Sequence, residues 1–203
     1  MFMHRTITGD IRTLSVKHDS VGDWFITITV DNHKPDKKAA ETESATILNI
    51  LSEPISPVGI DMGLKSIITT SDNTHVEPPQ YLRKSEKKLK KAQKQLSRKK
   101  KGSGKRSKAK NRVQKVHRKI ERERDDFAHK VSTQLISSHD LIVFEDLNIK
   151  GMIRNHHLAK SISDAGWNKI IQYTMYKAES AGKMVMLIDP KQTSQECSRL
   201  LQH

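Results

Sequence analysis

The sequence predicts an α/β protein built on a mixed sheet, and three observations carry that reading. Two β-rich runs joined by a turn open the chain, a long basic helical stretch fills its middle, and apolar strands joined through a helix close it. Hairpin-linked strands pair antiparallel and helix-linked strands pair parallel, so both kinds of pairing are expected in one protein.

Taken in order, Ile11 to Val16 and Trp24 to Val30 are rich in β-branched and apolar residues, and Asp19-Ser20-Val21-Gly22-Asp23 between them is a turn signal. Alternation puts Trp24, Ile26, Ile28 and Val30 on one face. From Asp31 to Pro57 the chain is polar and carries Pro35, Pro54 and Pro57, apart from a short apolar Ile47 to Leu51. We expect a linker and a domain boundary there, with 1–56 as a β-rich segment plus linker and 57–203 as the second domain. Val58-Gly59-Ile60 then leads into Asp61, and Ser66 to Thr70 with Thr74 to Val76 reads as two strands turning at Ser71-Asp72-Asn73.

Next comes the helical stretch, expected over 81–138. Leu82, Leu89, Ala92 and Leu96 recur at heptad-like steps in its first arm, and Ala109, Val113, Val116 and Ile120 in its second, running on into Phe127, Val131 and Leu135. Lys101-Gly102-Ser103-Gly104 interrupts the period, which predicts an antiparallel helical hairpin with a narrow apolar seam. After it, Leu141 to Phe144 reads as a strand, Trp167 to Ala181 as a helix closed by Gly182, and Met184 to Ile188 as a last strand.

The net positive charge is confined to the hairpin. The chain has 37 Lys and Arg against 23 Asp and Glu, for +14 overall. Arg83 to Arg124 alone holds 21 basic and 3 acidic residues, a net +18, which leaves the rest at −4. A solvated helix face would mix Glu with Lys to gain i,i+4 pairs, and this one hardly does. The charge points to a polyanion, and Lys87, Lys88, Lys91, Lys94, Lys99, Lys100, Arg106, Lys108, Lys115 and Arg118 are the candidate phosphate contacts. The rival from another class is an assembly module whose two seams form a coiled coil with a partner chain.

Composition excludes other classes. A single cysteine, Cys197, permits no intrachain disulfide and suits a reducing cytoplasm. No apolar run approaches the length of a membrane helix, and Met1 to Asp10 has no signal-peptide core. No membrane association and no small-molecule substrate are expected. Hydrophobic residues make up 34% of the chain and aromatic ones 4%, so part of the length should be solvated helix or loop.

Two acids hold equivalent places, Asp61 after Val58-Gly59-Ile60 and Glu145 after Leu141-Ile142-Val143-Phe144. If the strands are neighbours, the carboxylates meet at the sheet rim where open α/β folds keep their sites. Converging carboxylates repel unless a cation lies between them, and hard oxygen ligands select Mg²⁺ or Mn²⁺. By spacing alone, an acid after a strand is more often a turn or cap residue than a catalytic one.

The motifs resemble those of the TnpB (OrfB) family of transposon-encoded proteins, relatives of the type V CRISPR effectors. Val58-Gly59-Ile60-Asp61-Met62-Gly63-Leu64 resembles the family's first RuvC motif, and Val143-Phe144-Glu145-Asp146-Leu147-Asn148-Ile149-Lys150-Gly151-Met152 its second. Leu158 to Trp167 is similar to the loop-helix signature that follows, and Asp189-Pro190 with Thr193 to Ser198 is similar to the run into the family's zinc ribbon. The resemblance implies an RNase H-like RuvC nuclease core with an inserted basic hairpin, preceded by the end of a wedge-type domain. It implies DNA and a guide RNA as partners, Mg²⁺ or Mn²⁺ as cofactor, and Asp61 and Glu145 as the first two catalytic, metal-holding acids.

The resemblance breaks near the end. The family's ribbon opens C-x-x-C, whereas Cys197 is followed by Ser198, Arg199 and Leu200. The expectation is a truncated or decayed copy, with 190–203 as the start of a ribbon whose zinc site is not intact and with no third RuvC acid. Such a chain should bind nucleic acid and cleave poorly alone. Cys197 and His203 offer too few ligands for structural zinc. His156 and His157 are read as loop histidines, and Asp189 beside Pro190 as a strand terminator outside the site.

Overall fold

The computed structural model describes residues 9–19, 21–31, 55–152, 154 and 159–189. The expectations for Ile47 to Leu51, His156, His157 and the ribbon segment 190–203, with Cys197 and His203, lie outside the described residues. Two compact units emerge, Met1–Glu53 with Lys91–Lys115, and Pro54–Lys90 with Val116–His203.

In the first unit, β1 (Asp10–His18) and β2 (Trp24–Asp31) form an antiparallel hairpin. Asp19 builds the turn, its Oδ1 accepting from the backbone amides of Val21, Gly22 and Asp23 at 2.8–3.0 Å. Gly22 at φ 99° supplies the left-handed step that a side chain would resist. The register puts Trp24, Ile26, Ile28 and Val30 opposite His18, Val16, Leu14 and Ile11. One ribbon face is therefore apolar, and Leu14, Val16, Trp24 and Ile26 on it are exposed.

The second unit contains a five-stranded mixed sheet, β3 (Pro57–Asp61), β4 (Ile68–Thr70), β5 (His75–Val76), β6 (Leu141–Glu145) and β7 (Met184–Ile188), in the order β5-β4-β3-β6-β7. β4 pairs antiparallel with β3 and β5, while β6 runs parallel to β3 and β7. The two strands expected over 66–70 and 74–76 span Ile68–Thr70 and His75–Val76, with the Thr70 amide donating to the Thr74 carbonyl across the turn at 3.0 Å.

Alternation decides which face is packed. Val58, Ile60, Ile142 and Phe144 point to one side and are 0–4% exposed. They join a core with Ala128, Val131 and Leu135 of α2 (Gly104–Ser138), Ile162 of α4 (Ala159–Ala165), and Trp167 and Ile170 of α5 (Trp167–Ala181). The Val, Leu, Ile and Phe side chains among them each contribute about 1.5–3 kcal/mol on burial. The opposite face carries Gly59, Asp61, Val143, Glu145, Met186 and Ile188, and the last two are exposed.

The helical hairpin consists of α1 (Tyr81–Ser97) and the 35-residue α2, turning through residues 98–103 with Gly102 at φ 83°. Its seam is buried at Leu89, Ala109, Val116 and Ile120. Leu82, Ala92 and Leu96 are only half-buried, so α1 is a shallower amphipath than its spacing implies. α3 (Ile149–Met152) is a single turn after β6.

Lysine clamps fix the helices. Lys183, just past α5, donates to the carbonyls of Ile136 at 2.6 Å and His139 at 3.0 Å, putting a cation on the negative end of α2. From α5, Lys177 donates at 2.7 Å to Ser132 Oγ, Thr133 Oγ1 and the His129 carbonyl. Burial pushes the Lys177 ammonium below its ordinary pKa.

Candidate functional site

The carboxylate edge follows from strand register. Pro57, Val58, Gly59 and Ile60 of β3 stand opposite Leu141, Ile142, Val143 and Phe144 of β6 in parallel. Asp61 and Glu145 are the next residues on their strands, so they leave the sheet side by side, on the face away from the core. Adjacent strands lie about 4.8 Å apart, a separation that two carboxylates sharing a cation can bridge. Across the sheet, Asp61 pairs with Thr69, Thr69 with His75, and Glu145 with Ile188.

Local chemistry stops both strands at this point. After Asp61, Met62 turns into the core at 5% exposure. Gly63 then passes so close to the chain that a Cβ there would lie 3.0 Å from the Ser66 carbonyl. After Glu145, the Asp146 amide donates to the Ile188 carbonyl at 2.7 Å, tying the β6 exit to the end of β7. Asn148 Oδ1 accepts from the Gly151 amide at 2.9 Å and starts α3. Asp189 follows Ile188 at the end of β7. Among the described residues, no three His, Cys, Asp or Glu side chains converge as a metal site. Two carboxylates are nonetheless a fitting donor set for one Mg²⁺ or Mn²⁺, which binds through one or two carboxylates and keeps waters and substrate phosphate.

The second candidate region is the basic hairpin. Lys87, Lys88, Lys91, Lys94, Lys99, Lys100, Lys108 and Lys115 are all exposed. Arg106 and Arg118 are half-buried. The Arg106 guanidinium donates to the carbonyls of Leu96 at 3.1 Å and Lys99 at 3.0 Å, so it caps the end of α1 before it can meet any phosphate. Mixed-sign i,i+4 pairs on the helices include Lys90 with Glu86 at 3.0 Å, Lys119 with Glu123 at 3.6 Å and Lys130 with Asp126 at 2.7 Å.

Asp164 is a residue whose role sequence reasoning misses. Its carboxylate accepts from Arg124 Nε at 3.0 Å and Nη2 at 2.7 Å, and from the backbone amide of Leu82 at 3.1–3.2 Å. One side chain on α4 thereby holds α2 and caps the first turn of α1, which has no acid of its own. Lys169 and Asp125 form a second ion pair between α5 and α2, and the Tyr173 hydroxyl donates to Asp125 at 3.5 Å. No local pattern marks Asp164 as a cap, because its partners are 40 and 82 residues away.

Comparison with known proteins places these features in context. The profile of the family OrfB_IS605, described as "Probable transposase", matches residues 41–156, and a Cas12f1-like TNB domain profile matches residues 167–202. The chain is 34% identical over 177 residues to a Streptomyces pristinaespiralis protein that carries the name of an RNA-guided DNA endonuclease, covering 87% of this chain and 40% of the relative. It is 33% identical over 213 residues to Escherichia coli InsQ, named likewise, covering 96% of this chain and 48% of that one. The chain therefore spans half the length of these relatives or less. Among solved structures, a Cas12f1–sgRNA–target DNA complex aligns over 71% of this chain and 38% of its own at TM-score 0.47 and 15% identity. A CRISPR-Cas12f ternary complex aligns over 92% and 37% at TM-score 0.49 and 18% identity.

Proposed function

The chain belongs to the OrfB (TnpB) family of probable transposases, and from that premise we propose that it is the nucleic-acid-binding, carboxylate-bearing part of an RNA-guided DNA endonuclease with a RuvC-like, RNase H-type core. Its partners in this reading are DNA and a guide RNA. The observation that carries it is the parallel register of β3 and β6, which sets Asp61 beside Glu145. The basic hairpin supports it independently, since phosphate contacts need exposed cations with few competing acids.

Asp61 and Glu145 are the residues that would hold a divalent cation. When bound, Mg²⁺ or Mn²⁺ supplies Lewis-acid stabilisation of the charge that develops on a phosphodiester. The exposed lysines of α1 and α2 would position the backbone without reading sequence, for the segment has few aromatic or amide side chains to reach base edges. Burial of Leu89, Ala109, Val116 and Ile120 within the chain removes half of the two-arm seam that a coiled-coil partner would need, which argues against the assembly reading.

This 203-residue polypeptide binds better than it cuts. Two-metal hydrolysis requires ligands that keep both ions about 3.5–4 Å apart. Two carboxylates hold one ion well and a second poorly, and a misplacement of about 1 Å costs on the order of a hundredfold in rate. The test is purified chain with Mg²⁺ or Mn²⁺ and single- or double-stranded DNA, beside Asp61→Ala and Glu145→Ala. Tight, salt-sensitive binding by all three proteins with slow cleavage is the expected result. Rapid cleavage lost in both variants would overturn the impaired-cleavage reading, and absence of binding at low salt would overturn the nucleic-acid reading.

A further inference from the structure

A cleft of about 70 Å³ opens off the end of the sheet from which Asp61 emerges. Its place follows from the strands. β3 and β5 both run antiparallel to β4, so they leave the sheet at the same end. Leu64, three residues past Asp61, and Pro78, two past Val76, line the cleft together with Ser161 and Asp164 of α4. Three residues of chain span at most about 11 Å, so Leu64 lies no farther than that from Asp61.

Size limits what the cleft can hold. A water needs about 10–15 Å³ of such space, and clefts for drug-sized ligands run to about 300–1,000 Å³. This one takes a group of a few heavy atoms and excludes a nucleobase.

Charge and free donors narrow the choice further. Arg83 and Asp164 are the charged side chains of the lining. Asp164 is neutralised by Arg124 and also accepts from the Leu82 amide, so neither its charge nor the end of α1 is left open. By contrast, the side chains of Arg83, Gln80 and Ser161 have no hydrogen-bond or ion-pair partner among the described residues. Gln80 sits immediately before α1 at φ 52°, a left-handed conformation uncommon outside glycine. A Ser or Asp in that place would cap the helix, whereas here Asp164 supplies the cap and the Gln80 carboxamide remains available. A guanidinium fork, a carboxamide N–H and a hydroxyl around a space of this size match the oxygens of one phosphate. Lys87 is exposed one turn beyond Arg83, about 6 Å along α1, where it can meet a neighbouring phosphate.

We propose that this cleft binds one backbone phosphate of the strand that crosses the Asp61 and Glu145 edge, with Arg83 as its principal donor. The site rests on the nucleic-acid reading above and gives the strand a fixed point beside the carboxylates. At about 3.4 Å of rise per nucleotide in a duplex strand, 11 Å corresponds to about three nucleotides.

The experiment uses the full chain at low salt, with a 15-nucleotide oligothymidylate and inorganic phosphate as separate probes. NMR follows the Arg83 Nε–H and Gln80 side-chain amide signals, and fluorescence anisotropy follows strand affinity. Oligothymidylate should shift both signals along the same curve as the anisotropy. Arg83→Gln, a change at an exposed position, should weaken oligothymidylate binding about fivefold or more without altering circular dichroism. Arg83→Lys should recover only part of that loss, because an ammonium cannot present the fork. Gln80→Glu, which adds a negative charge to the lining, should weaken binding as much as Arg83→Gln. Full recovery in Arg83→Lys, or unmoved Arg83 and Gln80 signals while oligothymidylate binds, would remove the cleft site and leave the nucleic-acid reading standing. Saturation of both signals by inorganic phosphate that oligothymidylate does not displace would assign the cleft to a free anion and overturn the backbone proposal. Failure of oligothymidylate to bind at all would remove both readings.

Discussion

Lys183 and Asp140 are joined at 3.1 Å at the point where α2 ends and β6 begins. The same Asp140 carboxylate accepts from the Ser56 amide at 3.3 Å. The Lys183 hydrogen bond first, and the Ser56 amide second, hold the Asp140 carboxyl below its ordinary value of 3.8. A depressed carboxylate pKa favours the folded state above the unfolded value, and that contribution is lost as pH falls through the folded one. We therefore expect the stability gap between the native chain and Asp140→Asn to be full at pH 7 and to close below about pH 3.8, as followed by urea unfolding at several pH values. In Lys183→Met, the Asp140 pKa read by NMR should rise towards 3.8.

Arg124 and Asp164 provide a larger effect. Their side chains are 22% and 9% exposed, and Asp164 also caps α1. Asp164→Ala leaves Arg124 half-buried without its acid and the α1 amide without its acceptor, at an expected cost of about 3 kcal/mol. Asp164→Asn keeps the cap and loses the charge, so it should cost less. Denaturant titration of the three proteins measures both differences.

At the carboxylate edge, Asp61→Asn and Glu145→Gln preserve shape while removing charge. Each should weaken Mn²⁺ binding about tenfold or more, read by calorimetry on the protein without nucleic acid. Thermal stability should change little, because Asp61 is exposed and Glu145 half-buried on the unpacked face. Unchanged Mn²⁺ affinity in both variants would remove the metal from this edge.

For the hairpin, log affinity should fall with log salt at a slope of about −0.9 for each duplex phosphate neutralised. Replacing Lys91, Lys94, Lys99 and Lys100 by Gln should flatten that slope by about 0.9 for every phosphate left without its cation, in fluorescence anisotropy from 50 to 200 mM salt. Arg106→Gln belongs to another class, because its guanidinium serves the α1 end. It should lower hairpin stability more than it changes the slope.

Features set by short-range pattern are legible in the sequence. The alternation of Val58 and Ile60, and of Ile142 and Phe144, identifies two strands with one buried face, and the glycines around Ser103 identify the hairpin bend. The neighbouring places of Asp61 and Glu145 can be anticipated, since helix-linked strands tend to pair parallel. Arg106 passes for a free cation in the sequence because a helix cap depends on where a chain turns back, which charge counting does not see. Asp164, Lys177 and Lys183 are illegible for a related reason. Their partners are carbonyls, amides and side chains 40 to 82 residues away, and such pairings leave no periodic trace.

The cap that Asp164 places on Leu82 also imposes an order in time. A helix must first form a turn at a net loss, and α1 begins that turn with no acid to offset its dipole and a dense row of like charges to oppose it. The acceptor that relieves this arrives 82 residues later in the chain. During synthesis from the N-terminus, the first basic arm is complete before its cap exists, and that stabilisation becomes available only once residue 164 has emerged and α4 has packed. The share of this arm's stability that the cap supplies is thus conditional on α4 having folded and packed.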